Sequence, residues 1–241
     1  MANLILHCGA KTVTRADLAA VVLPPATRSY KPVAYLKAID FVQEAIADQL
    51  ALPVLGETFG LNKAGDQMFA EIRVDTGSNE HALSFGLRQS LNKAFALGFC
   101  AGVGIMVCDN LCFSGDAFTV MRKNTTNVWE NFTEIVWRKV ADSLGHYKSM
   151  ANDIDRLKAT PCSRRRAHAY LGVMRGEGLL SATQATVAHG DVNVDRHDAF
   201  NVDTLWRPYN AVTEALKKST PENLIGNTTA AHGFFMNQVA A

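Results

Sequence analysis

Residues 81–90 read His81-Ala82-Leu83-Ser84-Phe85-Gly86-Leu87-Arg88-Gln89-Ser90. In an extended chain His81, Leu83, Phe85 and Leu87 fall on one side, and Ala82, Ser84, Gly86, Arg88 and Ser90 on the other. Such alternation specifies a strand with an apolar face to bury, and a strand of that kind needs partners. Upstream, Val54 to Leu61 and Gln67 to Asp75 also run at period two around Asn62-Lys63-Ala64-Gly65-Asp66, a Gly- and Asp-bearing loop suited to a hairpin. Downstream, Val103 to Cys108 and Ala117 to Lys123 read as two more strands, joined through Val107-Cys108-Asp109-Asn110-Leu111-Cys112-Phe113-Ser114-Gly115. The expectation is a central antiparallel sheet of about five strands, largely a meander.

Helices flank this sheet. From Pro32 to Leu50 the apolar residues Tyr35, Leu36, Ile39, Phe41, Val42, Ile46 and Leu50 recur mostly at three and four. Asn127, with Glu130 three residues on, caps a long helix striped by Val128, Phe132, Ile135, Val136, Val140, Leu144, Tyr147, Ile154 and Leu157, which Pro161 ends. A basic helix follows from Ser163 through Arg164, Arg165 and Arg166 to Leu171, and Asn201 to Lys218 holds another, with Pro208 in its first turn. Residues 1 to about 30 read as an irregular arm, because Pro24-Pro25 stops any helix begun between Ala16 and Val22. The fold class is therefore α+β. Its expected parts are an N-terminal arm (1–30), an α+β core (31–160) and a mostly helical C-terminal region packed on that core (161–241).

Composition excludes several partners. The 241 residues are 48% hydrophobic and carry a formal net charge of +1, so no global field drives the chain onto nucleic acid or anionic lipid, and any basic surface is local. Five scattered cysteines, Cys8, Cys100, Cys108, Cys112 and Cys162, lack the dense pattern of a disulfide scaffold and read as reduced thiols of a cytosol. The start has no basic leader, and the most apolar window, Ala94 to Cys108, is about fifteen residues, short of the roughly eighteen a membrane span needs. No membrane association is expected, and assembly into a homo-oligomer is compatible with the sequence.

Motifs that would carry chemistry are incomplete. Asp75-Thr76-Gly77-Ser78 spells an aspartic-protease triplet, but one copy supplies one carboxylate of the two required, and a turn accounts for it. Asp191-Val192-Asn193-Val194-Asp195-Arg196-His197 opens like a calcium loop, yet Arg196 and Val202 stand where Gly and Glu belong. A solvated loop fits this segment better than a transition metal on His189, Asp191 and His197. Cys108 and Cys112 form half of a zinc site with no second pair, and no phosphate-binding glycine loop or nucleophile elbow is present. No catalytic residue, metal or cofactor is assigned, and a binding protein is expected rather than an enzyme.

Ser84-Phe85-Gly86-Leu87-Arg88-Gln89-Ser90-Leu91-Asn92-Lys93, the Val107 to Gly115 run and Arg122-Lys123-Asn124-Thr125 together resemble a family of phage- and plasmid-encoded proteins termed "domain of unknown function 932". That family's core reads roughly arginine-asparagine-serine-x-aspartate-lysine-serine, then valine-cysteine-aspartate-asparagine-x-x-phenylalanine-serine-glycine, then arginine-lysine-histidine-threonine. Trp206, Tyr209, Asn210, Ala211, Thr213 and Glu214 are similar to its C-terminal helix. Gln89, Asn92 and Asn124 depart from the pattern, and the loss of an aspartate and a histidine argues against acid/base roles at the last two. The resemblance implies a mobile-element protein at work in the cytoplasm of a bacterial host.

The polar strand faces supply the candidate site. Glu71, Arg73 and Asp75 share a face of their strand, Arg88 lies among Ser84, Gly86 and Ser90, and Lys123 follows Thr119. Aligned, these faces make a groove of small residues lined by cations, which suits phosphate. The residues expected to bind are Arg73, Arg88, Asn92, Lys93, Asp109, Asn110, Arg122 and Lys123. The expected function is nucleic-acid binding, in particular single-stranded DNA, in recombination, replication or protection of phage DNA. The order helix, antiparallel sheet, long helix is also similar to that of phage Beta-type annealing proteins, an analogy of fold. A rival is a binder or enzyme for a nucleotide-like molecule or host defence signal, built on Arg88, Lys93, Asp109, Asn110 and Arg122. A third is an anti-defence protein that blocks a host protein by covering its surface.

Overall fold

The computed structural model describes residues 10–105, 110–112, 120–122, 124–194, 202–219 and 221–240; for 105, 110–112, 120–122, 221, 222, 224 and 225 it describes the backbone alone. The chain divides into two compact units, one of residues 2–102 with 117–147, the other of 103–116 with 148–241.

The first unit is the sheet and its helices. The hairpin and the strand that follow from the alternation form where expected: β2 (Val54–Leu61), β3 (Gln67–Val74) and β4 (His81–Ser90), antiparallel throughout, with Met68 opposite Gln89 and Val74 opposite Leu83. The β2–β3 loop is closed by Asn62, whose Oδ1 accepts from the amides of Asp66 and Gln67 while Gly65 takes φ +75°. In the β3–β4 turn the Asp75 carboxylate accepts from the Gly77 amide, so the protease-like triplet is an Asx turn.

The neighbouring strands differ in detail from the expectation. β5 runs Leu97–Ile105, six residues earlier than its expected start at Val103, because Gly98, Gly102 and Gly104 alternate with apolar residues and weaken the strand signal. β1 (Lys11–Val13) belongs to the arm that reads as irregular, and it adds to the free edge of β2 with Val13 opposite Phe59. It leads through a Thr14 capping box into a short helix α1 (Arg15–Ala19). The stretch read as a simple connection contains β6 (Asn110–Cys112), paired with β5, and the described part of the last expected strand is β7 (Val120–Arg122), also paired with β5; residues 117–119 and 123 lie outside the described residues. Seven strands in the described residues therefore realise the α+β fold, the five anticipated plus β1 and β6.

Parity decides which face packs. Phe59, Ala70, Ile72, Phe85, Phe99 and Leu97 are all buried on one face, with the Phe85 and Phe99 rings 5.7 Å apart and nearly parallel. α2 (Tyr35–Leu50) and α3 (Val128–Ala159) supply Ile39, Val42 and Ile46, and Val128, Phe132 and Val136, to the same core. Phe41 joins the helices, its ring 5.6 Å from Trp129 and 6.5 Å from Phe132. α2 begins at Tyr35, not Pro32, and Gln89, fully buried, donates to the Val33 carbonyl just ahead of it. Gln89 thus anchors a helix start instead of facing a ligand.

The second unit is helical apart from β6 and the end of β5, where Val103 pairs with Cys112 and Ile105 with Asn110. It contains the C-terminal part of α3, then α4 (Arg164–Gly176), α5 (Ala182–Asn193), α6 (Trp206–Leu216) and α7 (Pro221–Val239). α6 is its centre, with Trp206 to Thr213 and Ala215 to Leu216 all buried. The turn after α3 is pinned by Cys162 N donating to Asp203 O at 2.8 Å and Leu205 N to Thr160 O at 2.9 Å. Asp191 and Asn193 lie in the last turn of α5, so the calcium-like segment starts as helix; Asp195 to His197 lie outside the described residues. No helix among the described residues is long and apolar enough to cross a membrane.

Candidate nucleic-acid interface

The face of β3 and β4 opposite the core gathers the chemistry. Register places Arg73 beside Ser84, Glu71 beside Gly86 and Phe69 beside Arg88, with Thr58 next to Glu71. Cys100 of β5 belongs to this face, because its Sγ stands 3.8 Å from the Gly86 carbonyl. Phe69, Arg73, Gly86 and Arg88 are half-buried, whereas Glu71, Ser84 and Cys100 are buried, so the centre of the face is enclosed and its flanks are accessible. The expected open groove is to that extent a partly covered one.

An aromatic element completes the site. The Ser90 hydroxyl accepts from the Phe95 amide and donates to the Phe95 carbonyl, closing the loop that leaves β4. Phe95 is thereby brought to Arg88, whose guanidinium carbon lies 5.3 Å from the ring centroid, and to Phe69, 5.6 Å away. Sequence reasoning misses Phe95 because a loop has no parity to read; Phe69 is legible from its alternation with Glu71 and Arg73.

The thiol beside this face is inert. Burial pushes Cys100 up to about 12, against the lowering effects of a Gly86 backbone hydrogen bond and of the Arg88 charge. A thiol so raised carries almost no thiolate at neutral pH, so Cys100 serves as a buried packing group.

Asn92 and Lys93 lie in the same loop but are engaged structurally. Asn92 Oδ1 accepts from the Ala94 amide at 3.0 Å, while Lys93 takes φ +65° and sets its ammonium 4.6 Å from the Tyr30 ring centroid. Tyr30 in turn donates to the Leu91 carbonyl at 2.9 Å. Asn92 also borders a cleft of about 580 Å³ that Val21 to Pro25 share with Ala64, Gly65, Asp66 and Leu91. Arg122 stands in register with Leu97, a residue of the core-facing row, and Asn110 with Ile105. Asp109 and Lys123 lie outside the described residues. Of the eight expected binding residues, then, Arg73 and Arg88 share one face and Asn92 and Lys93 one loop.

The described histidines of the second unit, His168, His189 and His232, are bonded within the fold. His168 and His189 face each other Nδ1 to Nδ1 at 2.7 Å with ring centroids 5.0 Å apart and planes 13° apart. The difference between the two distances is what two ring radii take up, so the rings lie edge to edge and one donates a hydrogen bond straight to the other. A metal cannot sit between nitrogens so close, and no metal-holding cluster occurs among the described residues.

His232 is buried and shares hydrogen bonds with Asp153 Oδ2 through Nε2 and with the Tyr209 hydroxyl through Nδ1, each at 3.2 Å. Burial holds His232 below its ordinary 6.5 although Asp153 pulls the other way, and burial and the charge on His168 lower His189 as well. As pH falls below about 6.5 the unfolded chain takes up protons that the folded chain refuses. Stability is therefore full above 6.5, declines below it, and levels off beneath the lowered folded values. Urea midpoints measured at pH 7.5, 6.5 and 5.5 are expected to fall in that order, and His232→Gln is expected to shallow the decline.

No family model matches the chain, and no curated protein and no solved structure matches it either.

Proposed function

We propose that the chain binds single-stranded nucleic acid across the β3–β4 face, with a base against Phe69 and Phe95 and phosphates at Arg88 and Arg73. The observation that carries this is the Arg88–Phe95–Phe69 cluster on a strand face that also holds Arg73, Glu71 and the small residues Thr58, Ser84 and Gly86. Aromatic rings take any base by stacking, arginines take phosphate, and small residues let a backbone come close. Glu71 lies between the two arginines and separates the two phosphate positions. The resemblance to the domain of unknown function 932 family supports work on phage DNA, in recombination, replication or protection, within the cytoplasm of a bacterial host.

Fluorescence anisotropy with labelled oligothymidylate and with a duplex tests this. Binding at 50 mM salt is expected to weaken steeply by 200 mM, and R88Q/F95L is expected to weaken it by about thirtyfold or more, since stacking and an arginine contact are each worth roughly 1–3 kcal/mol. Absence of binding at low salt sinks the proposal.

The burial of Ser84, Glu71 and Cys100 favours a second reading, a compact nucleotide-like ligand or host defence signal held at the same face. Thermal-shift measurements with nucleotides separate the two, because a ligand at a hundred times its Kd stabilises by about 2.7 kcal/mol.

A further inference from the structure

Between Arg156 and Arg175 the chain carries six of its 24 Lys and Arg residues and none of its 23 Asp and Glu residues. The whole chain is nearly neutral at +1, so this is a local concentration of charge that the rest of the sequence offsets. Four of the six are arginines of α4, and Arg164, Arg165, Arg166 and Arg175 are all exposed. Arg166 lies over the Tyr170 ring at 5.4 Å, which holds one guanidinium out from the helix. Asp203 shares the surroundings of Cys162 with Arg166 and stands 3.7 Å from Arg207.

Three physical points separate this surface from an ordinary wet helix face. The first turn of α4 holds arginines and no acidic residue, the reverse of what the helix dipole favours, so the arrangement does not serve helix stability. The outward side beyond the arginines is Ala169, Gly172, Val173 and Gly176, all exposed, which leaves no long side chain to keep a polymer backbone away. α4 itself holds no Asp or Glu, so it lacks the alternating charges that lace a solvated helix along its own length.

We infer that the basic face of α4 binds the phosphate backbone of nucleic acid as a second contact, without reading its sequence. This rests on the proposed nucleic-acid function but not on the β3–β4 face. Charge complementarity names the occupant: four cations along about three turns of helix suit a chain of regularly spaced phosphates better than a single anion.

The test compares wild type, R164Q/R165Q/R166Q, R164K/R165K/R166K and R88Q/F95L by anisotropy with oligothymidylate from 50 to 200 mM salt. Three lost phosphate contacts lower the slope of log K against log salt by about 2, a roughly tenfold or greater loss of affinity at the low-salt end. The glutamine variant is expected to lose that slope with an unchanged circular dichroism spectrum, and the lysine variant to keep it. An unchanged slope in the glutamine variant overturns the inference while leaving the β3–β4 reading intact. Loss in the glutamine variant alone, with R88Q/F95L unaffected, supports the inference and removes the β3–β4 reading. Failure of wild type to bind removes both, and equal competition by polyglutamate at matched charge overturns the inference in favour of an acidic protein partner.

Discussion

Phe85→Ala is expected to lower the stability of the fold by about 3–5 kcal/mol, the range for truncating a fully buried aromatic side chain. Phe85 has no exposure, sits in β4 at the middle of the sheet, and packs its ring against that of Phe99. Truncation removes the transfer free energy of the ring and the ring–ring contact, and leaves a hole bounded by strands that hydrogen-bond on both sides and cannot collapse into it. Domains of this size are stable by only about 5–15 kcal/mol, so the variant stands close to unfolding at 37 °C. Urea denaturation reads the effect as a drop in midpoint at constant slope. Phe85→Leu, which keeps much of the volume, is expected to retain most of the stability, and a loss below about 1 kcal/mol for the alanine variant would contradict the packing described.

The opposite error, adding one carbon, is expected to matter at Gly86. A Cβ placed there comes 2.8 Å from Cys100 Sγ, nearer than real contacts allow, so the buried Cys100 side chain has to turn away or a strand has to shift. Gly86→Ala should cost about 1–3 kcal/mol by overpacking. The diagnosis is specific because it names the colliding atom. Cys100→Ala removes that atom, and the double variant is expected to recover most of the loss, a favourable coupling between neighbours that a double-mutant cycle measures. If Cys100→Ala does not relieve the penalty, the strand conformation at residue 86 is at fault and not the thiol.

What is legible in the sequence follows from which elements carry their own period. β2, β3 and β4 alternate with few exceptions, Glu57 and Gln89 falling in the core-facing rows and Phe69 on the polar face, and α3 carries a stripe and a cap signal, so most residues of those elements can be placed from pattern alone. β5 defeats the same logic: its apolar residues Leu97, Phe99 and Ala101 alternate with Gly98, Cys100 and Gly102, and glycine is a poor witness for a strand. β1 and β6 are three residues each and exist through the partner they join. α5 escapes the sequence reading for a different reason. Its buried residues Ala185 and Ala188 are small and give little periodic signal, although Ser181 and Gln184 at capping-box spacing mark its start. For the candidate site, parity is enough to bring Arg73 and Arg88 to one face. Phe95 reaches them through two hydrogen bonds of Ser90, a tertiary detail with no pattern in the sequence.

The division of the chain bears on how the molecule is made. Residues 103–116 belong with 148–241, while 117–147 return to the unit begun by 2–102. The polypeptide therefore passes from one unit to the other three times, and neither is a continuous piece. During synthesis the first unit lacks part of itself until residue 147 has emerged, and residues 103–116 wait longer still for partners in 148–241, some of them translated more than a hundred residues later. A stop codon or a protease cut anywhere between 103 and 147 consequently damages both units at once, where the same cut in a protein of two consecutive domains would spare one. The two units are bound to a shared fate by the order of their segments.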